Sequence, residues 1–250
     1  MLLTFCLIVL LINLSGLIWC YGMQSDKVTD LFYGMSFLAG TGLLWASTTP
    51  SLSHHVLLGM IALWSIRLAL YLFRRVHVMG HDARFNQLRK RFIAIAGFWL
   101  LQTISIIILS LPIIFFFQSP SISFGGFQWL GLALWLMGWL VESIADQQKF
   151  SFRINPANEG HFINSGLWKW VQHPNYLGEI LCWIGIFIFV IPALKGWEWI
   201  AIISPIWIAT LLLFISGIPL LQRASKKKYG HLEKYQTYRK NTALLIPYIY

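Results

Sequence analysis

The sequence predicts an all-α membrane protein, a polytopic bundle of about seven transmembrane helices with the N-terminus outside and the C-terminus cytoplasmic. Three observations carry this reading. Hydrophobic residues make up 57% of the chain and charged ones only 11%. A soluble domain of 250 residues has no interior large enough for that much apolar surface, so lipid must cover part of it. Apolar runs long enough to cross a bilayer recur at roughly 2–20, 30–47, 56–73, 92–117, 127–144, 176–192 and 199–221. With the N-terminus outside, every one of the 19 Lys and Arg residues except Lys195 and Arg67 falls on the inner side.

The runs differ in what they carry. The first lacks the basic start of a signal peptide and has Trp19 where a cut ahead of Cys20 needs a small residue, so it reads as a span. The second opens on Asp30 and contains Gly40-Thr41-Gly42, which has neither the third glycine nor the βαβ setting of a dinucleotide loop. The third holds Arg67. The fourth is long enough to tilt or to break near Pro112. The fifth ends on Glu142, and the sixth starts behind Pro174, a residue suited to a first helical turn. The seventh leads into a basic tail. Cys6, Cys20 and Cys182 lie in or at the ends of apolar runs without disulfide or zinc spacing, which fits packing roles. No linker, low-complexity stretch or internal repeat interrupts the chain, so residues 1–250 read as a single membrane domain.

The net charge of +10 reads first as an orientation signal and as attraction to anionic lipid headgroups, with an anionic cofactor as the other reading. The loops lack an aromatic-and-basic recognition motif, so nucleic acid is not an expected partner. The histidines show no metal spacing, and no metal is expected.

Four ionisable residues sit near the inner ends of separate spans: Asp30, Arg67, Glu142 and Glu179. Each alone fits interfacial placement or an inter-helix ion pair; together they would line one polar cavity. Helical spacing groups their neighbours into stripes. Trp64, Arg67, Tyr71 and Arg74 form the first. Glu142, Asp146, Lys149 and Arg153 form a second if the fifth helix continues into the cytoplasm, although acid-to-base pairs at this spacing also stabilise a plain helix. Asn175, Glu179 and Trp183 form the third. Between Gly166 and Glu179 lies the segment richest in chemistry. There Asn175, Tyr176 and Glu179 project from a first turn whose free N–H groups favour anions. His173 reads either as a phosphate-facing cation or as a structural residue. No Ser-His-Asp or Cys-His arrangement emerges.

The segment His173-Pro-Asn-Tyr-Leu-Gly-Glu179, the tail Lys228-Tyr-Gly through Tyr235 and the ending Leu245-Ile-Pro-Tyr-Ile-Tyr250 resemble the steroid 5-alpha-reductase and sterol reductase superfamily. The nearest pattern is its bacterial DUF1295 branch. The resemblance covers roughly residues 142–250, and more weakly 30–91, including His81-Asp-Ala-Arg-Phe85. It implies a seven-helix reductase that binds NADPH in a cavity open to the cytoplasm and acts on a lipid-like substrate, here in a bacterial inner membrane. The family's cofactor residues fall on Arg67, Tyr71, Asp146, Arg153, Asn175 and Glu179, with Tyr229 in the tail; His173 and Tyr176 flank them. The family's catalytic acid falls on Asp30. Its catalytic Tyr falls on Trp64, which has no acidic proton, and Tyr33, one turn from Asp30, is the alternative hydroxyl.

Two other readings stay open. Isoprenylcysteine carboxyl methyltransferases and related S-adenosylmethionine enzymes carry a similar His-Pro-x-Tyr segment. Trp64 at the catalytic position also leaves room for a lipid-binding protein without catalysis.

Overall fold

The computed structural model describes residues 1–25, 27–79, 91–119 and 122–247. Arg84, Arg89 and Lys90, the His81–Phe85 match and the Tyr248–Tyr250 ending lie outside the described residues. Among the described residues the only regular structure is helical: α1 (Leu2–Gly22), α2 (Thr29–Ala46), α3 (Leu52–Met79), α4 (Phe92–Gln118), α5 (Gly126–Ile154), α6 (Pro174–Val190), α7 (Ile203–Thr210), α8 (Ile218–Tyr229) and α9 (Glu233–Asn241), with short 3₁₀ and π turns between some of them.

Six helical segments of the described chain are long and apolar enough to cross a membrane, one fewer than the expected seven. The difference is α2. It occupies the second expected span, but its 18 residues include Asp30, Ser36, Thr29, Thr41 and three glycines, which dilute its apolar character. The chain is a multi-pass integral membrane protein. Its fourth long helix runs unbroken through the buried Pro112. The fifth continues past Glu142 to Ile154, so the polar stripe down to Arg153 sits on one helix. The last apolar run is interrupted. A 3₁₀ stretch (Gly196–Ile202) precedes α7, and a π turn (Leu211–Ile215) follows it. There the Ser216 N–H donates to the Leu211 carbonyl, five residues back, at 2.9 Å. At Gly217 a β-carbon would lie 2.3 Å from the Leu212 carbonyl oxygen, so only glycine fits the break before Pro219 opens α8.

The chain gathers into two compact units. One comprises Met1–Trp129 with Ile186–Ser204, the other Leu130–Gly185 with Pro205–Tyr250. In the first, a buried polar chain ties three helices together. Gln102 of α4 donates to the Asn13 side-chain oxygen of α1 at 2.9 Å. Asn13 in turn donates to Ser36 of α2 at 3.0 Å and to its own helix at Val9 O. Asn13 is 2% exposed and Ser36 fully buried, so these bonds join the three helices out of reach of water, with Ser36 also donating to Phe32 O of its own helix at 2.8 Å. Apolar packing surrounds this chain. Gly16 lets Trp99 lie against α1, Gly40 lets Phe5 of α1 lie against α2, and Cys20 packs with Ile95 and Trp99.

Replacing Asn13 by Leu strands the Gln102 amide in an apolar interior. The Asn13→Leu variant is expected to lose about 1–3 kcal/mol of stability, seen as a lower thermal midpoint in detergent. An unchanged midpoint would show that the network carries no stability.

Candidate functional site

In the second unit, α5 and α6 touch backbone to backbone. A β-carbon on Gly138 would sit 2.6 Å from the Gly178 carbonyl oxygen, one on Gly178 2.5 Å from the Glu142 nitrogen, and one on Gly185 2.6 Å from the Trp135 nitrogen. Three glycines at this crossing replace side-chain contact with direct approach of the helices. The same crossing sets Cys182, whose thiol reaches the Trp135 carbonyl at 3.6 Å. It also puts the first turns of α6, with Asn175, Tyr176 and Glu179, beside the part of α5 that carries the buried Glu142 and Asp146.

The chain between α5 and α6 folds back on α5. Gly166, at φ +61, occupies a left-handed conformation where a β-carbon would collide with the Gln148 side chain. That side chain accepts from Leu167 N at 3.0 Å, and the Trp168 indole donates to the Ala145 carbonyl at 3.1 Å. Lys149 places its ammonium 4.4 Å from the centre of the Trp168 ring. The tail supplies the facing side. Phe162 meets the rings of Tyr229, Tyr235 and Tyr238 at centroid separations of 6.0, 5.1 and 5.3 Å.

These elements enclose a cavity of about 100 Å³, lined among others by Lys149, Arg153, His173, Tyr229, Tyr235 and Tyr238. Among the described residues its lining includes no carboxylate. Two cations with aromatic faces and neutral donors suit an anionic group joined to a flat ring, and hence one end of a dinucleotide. Whole-ligand pockets run to about 300–1,000 Å³, so this cavity would hold only part of such a molecule.

His173 differs from the phosphate-facing cation that its position suggests. It is 7% exposed and stacks on Tyr176 with centroids 5.6 Å apart and planes 13° from parallel. Burial first, then Lys149 and Arg239, push its pKa down from 6.5 to about 3. The ring is therefore uncharged at neutral pH, and its buried Nδ1 has no hydrogen-bond partner among the described residues. The Asn175 side-chain oxygen is likewise buried without one. Burial, with Tyr235 beside it, holds the Tyr238 phenol well above its ordinary value.

Of the residues expected to hold a cofactor, Arg153, His173 and Tyr229 line this one cavity although they are remote in sequence. Asp146, Asn175, Tyr176 and Glu179 belong to the same unit but not to the cavity lining. Asp30, Tyr33, Arg67 and Tyr71 belong to the other unit. There Tyr33 packs edge-on against Trp64, with centroids 6.2 Å apart, and both rings contact Phe37. Sequence reasoning passed over Phe162 and Tyr238. A lone Phe in a polar connection gives no signal, whereas Tyr235 and Tyr238 share a helical face by their spacing.

The family model described as "Protein of unknown function (DUF1295)" matches residues 17–242. Mouse 3-oxo-5-alpha-steroid 4-dehydrogenase 1 is 30% identical over 120 residues, 48% of this chain and 41% of its own length. Polyprenal reductase 2 of Arabidopsis thaliana is 29% identical over 134 residues, 53% of this chain and 36% of its own length. The chain thus spans well under half the length of these curated relatives. No solved structure matches it.

The depressed His173 pKa sets a pH dependence of stability. Between pH 6.5 and about 3 the unfolded chain binds a proton at this position that the folded chain refuses, so stability falls as pH drops through that window and is undiminished above it. The contribution reaches at most about 1.4 kcal/mol per pH unit. A His173→Gln variant is expected to lose less thermal stability than the parent between pH 7.5 and pH 5. Equal losses would contradict a buried neutral imidazole.

Proposed function

The chain belongs to the DUF1295 family, and on that premise we propose that it is a membrane-embedded, NADPH-dependent reductase of a conjugated C=C bond in a lipid substrate. The observation that carries this reading is the convergence of Arg153, His173 and Tyr229 on one cationic, aromatic cavity. The relatives add support, because their names describe a steroid 4-dehydrogenase and a polyprenal reductase.

In this proposal Arg153 and Lys149 hold the cofactor's phosphates, with the Arg fork giving paired hydrogen bonds. Tyr229 offers a ring face. His173, being uncharged, contributes a hydrogen bond rather than a charge. Asn175, Tyr176, Glu179 and Asp146, in the same unit, take polar groups of the same molecule. When bound, NADPH supplies the hydride. The chain's own catalytic work falls to Asp30 and Tyr33. The Tyr33 hydroxyl and Asp30, in its protonated acid form, donate hydrogen bonds to the substrate carbonyl oxygen, where negative charge grows as the conjugated bond is reduced, and a proton taken up from water at the α-carbon completes the saturated product. Trp64, which cannot give up a proton, acts as the apolar wall behind Tyr33. A steroid-like or isoprenoid substrate enters from lipid, and the basic residues orient the tail to the cytoplasmic side of a bacterial cell membrane.

NADPH is expected to raise the thermal midpoint of the detergent-solubilised protein, and Arg153→Ala to weaken that binding at least tenfold, about 1.4 kcal/mol. Stabilisation by S-adenosylmethionine and not by NADPH would favour the methyltransferase reading; stabilisation by neither would favour a non-catalytic one. Tyr33→Phe is expected to cut turnover roughly a hundredfold while NADPH affinity stays unchanged. Full turnover in that variant would remove Tyr33 from the mechanism.

A further inference from the structure

Three of the cavity's aromatic residues come from the tail, Tyr229 at the end of α8 and Tyr235 and Tyr238 on α9. Helix α9 has nine residues, most of them exposed, and a helix that short does not hold itself in water. Its fixation comes from the segment just ahead of α6. The Gln172 side-chain amide donates to the Thr242 carbonyl at 2.7 Å and to the Arg239 carbonyl at 3.2 Å. These carbonyls lie at the C-terminal end of α9, where no intrahelical N–H remains to satisfy them. The Gln172 backbone N–H donates to Ala243 O at 2.9 Å, and Val171 bridges Ala243 in parallel. Tyr238 adds a bond from its hydroxyl to Trp168 O at 2.6 Å. Gln172, which itself lines the cavity, therefore caps the tail helix from outside, directly next to His173.

We propose that Gln172 is a positioning residue, whose amide pins α9 and so holds Tyr235 and Tyr238 in place as a wall of the ligand cavity. The ligand's identity rests on the reading given above; the pinning does not. The donor function belongs to the N–H groups of the amide, since both partners are carbonyl oxygens. Gln172→Met keeps the length and removes the donors. Gln172→Lys restores them.

Hydrogen exchange of the full-length, ligand-free protein in detergent separates these cases. Gln172→Met is expected to speed exchange in residues 233–243 at least tenfold with the spans unaffected, and Gln172→Lys to return it towards the parent rate. In the same samples Gln172→Met is expected to raise the NADPH Kd or KM about tenfold while kcat at saturation changes little. Unchanged exchange in Gln172→Met, or loosened exchange that Gln172→Lys does not reverse, would overturn the proposal. So would weakened NADPH binding with 233–243 still protected, because Gln172 would then act by direct contact. If the parent binds no NADPH, the reductase reading falls and the exchange data alone decide the role of Gln172.

Discussion

The second unit depends on the glycine contact between α5 and α6. At Gly138, Gly178 and Gly185 any side chain would overlap the opposite backbone, so the two helices are held at a fixed height and rotation. That fixes where α6 begins relative to the polar end of α5. The connection from Asn155 to His173 must then close over a set distance, and it does so through the Trp168–Ala145 and Leu167–Gln148 hydrogen bonds. Arg153, Lys149 and His173 face one cavity because those constraints act together. In a membrane, where hydrophobic driving force between helices is weak, such close packing and a few buried hydrogen bonds do most of the ordering. The Asn13–Gln102–Ser36 chain plays the equivalent part in the first unit.

The electrostatics of the cavity are asymmetric by construction. Among the described residues Lys149 and Arg153 line it without a carboxylate, and the His173 imidazole is kept neutral by burial first and then by Lys149 and Arg239. An uncharged His173 adds no charge of its own to the site at neutral pH, so Lys149 and Arg153 carry its attraction for anionic groups.

Local features were readable from the sequence. The Glu142–Arg153 stripe follows from helical periodicity, and α6 starts at Pro174, as the missing N–H of proline suggests. Hydropathy located the apolar runs well. It summed over α2 without registering how Asp30 and three glycines dilute that helix, and over the last run without revealing the π turn and the break at Gly217. Long-range pairings were out of reach. Nothing in the composition joins Gln172 to Thr242, Phe162 to Tyr238 or Asn13 to Gln102, because each pairing depends on where remote helices end. The charge state of His173 depends on the same packing.

The most direct test of the central claim is to photolabel the solubilised protein with an NADP analogue carrying an azide on its adenine, and to map the label by mass spectrometry. The cavity lined by Arg153, His173 and the tail tyrosines predicts label on peptides from residues 149–173 or 222–238, displaced by excess NADPH. Label confined to other parts of the chain, or label that NADPH does not displace, would contradict it.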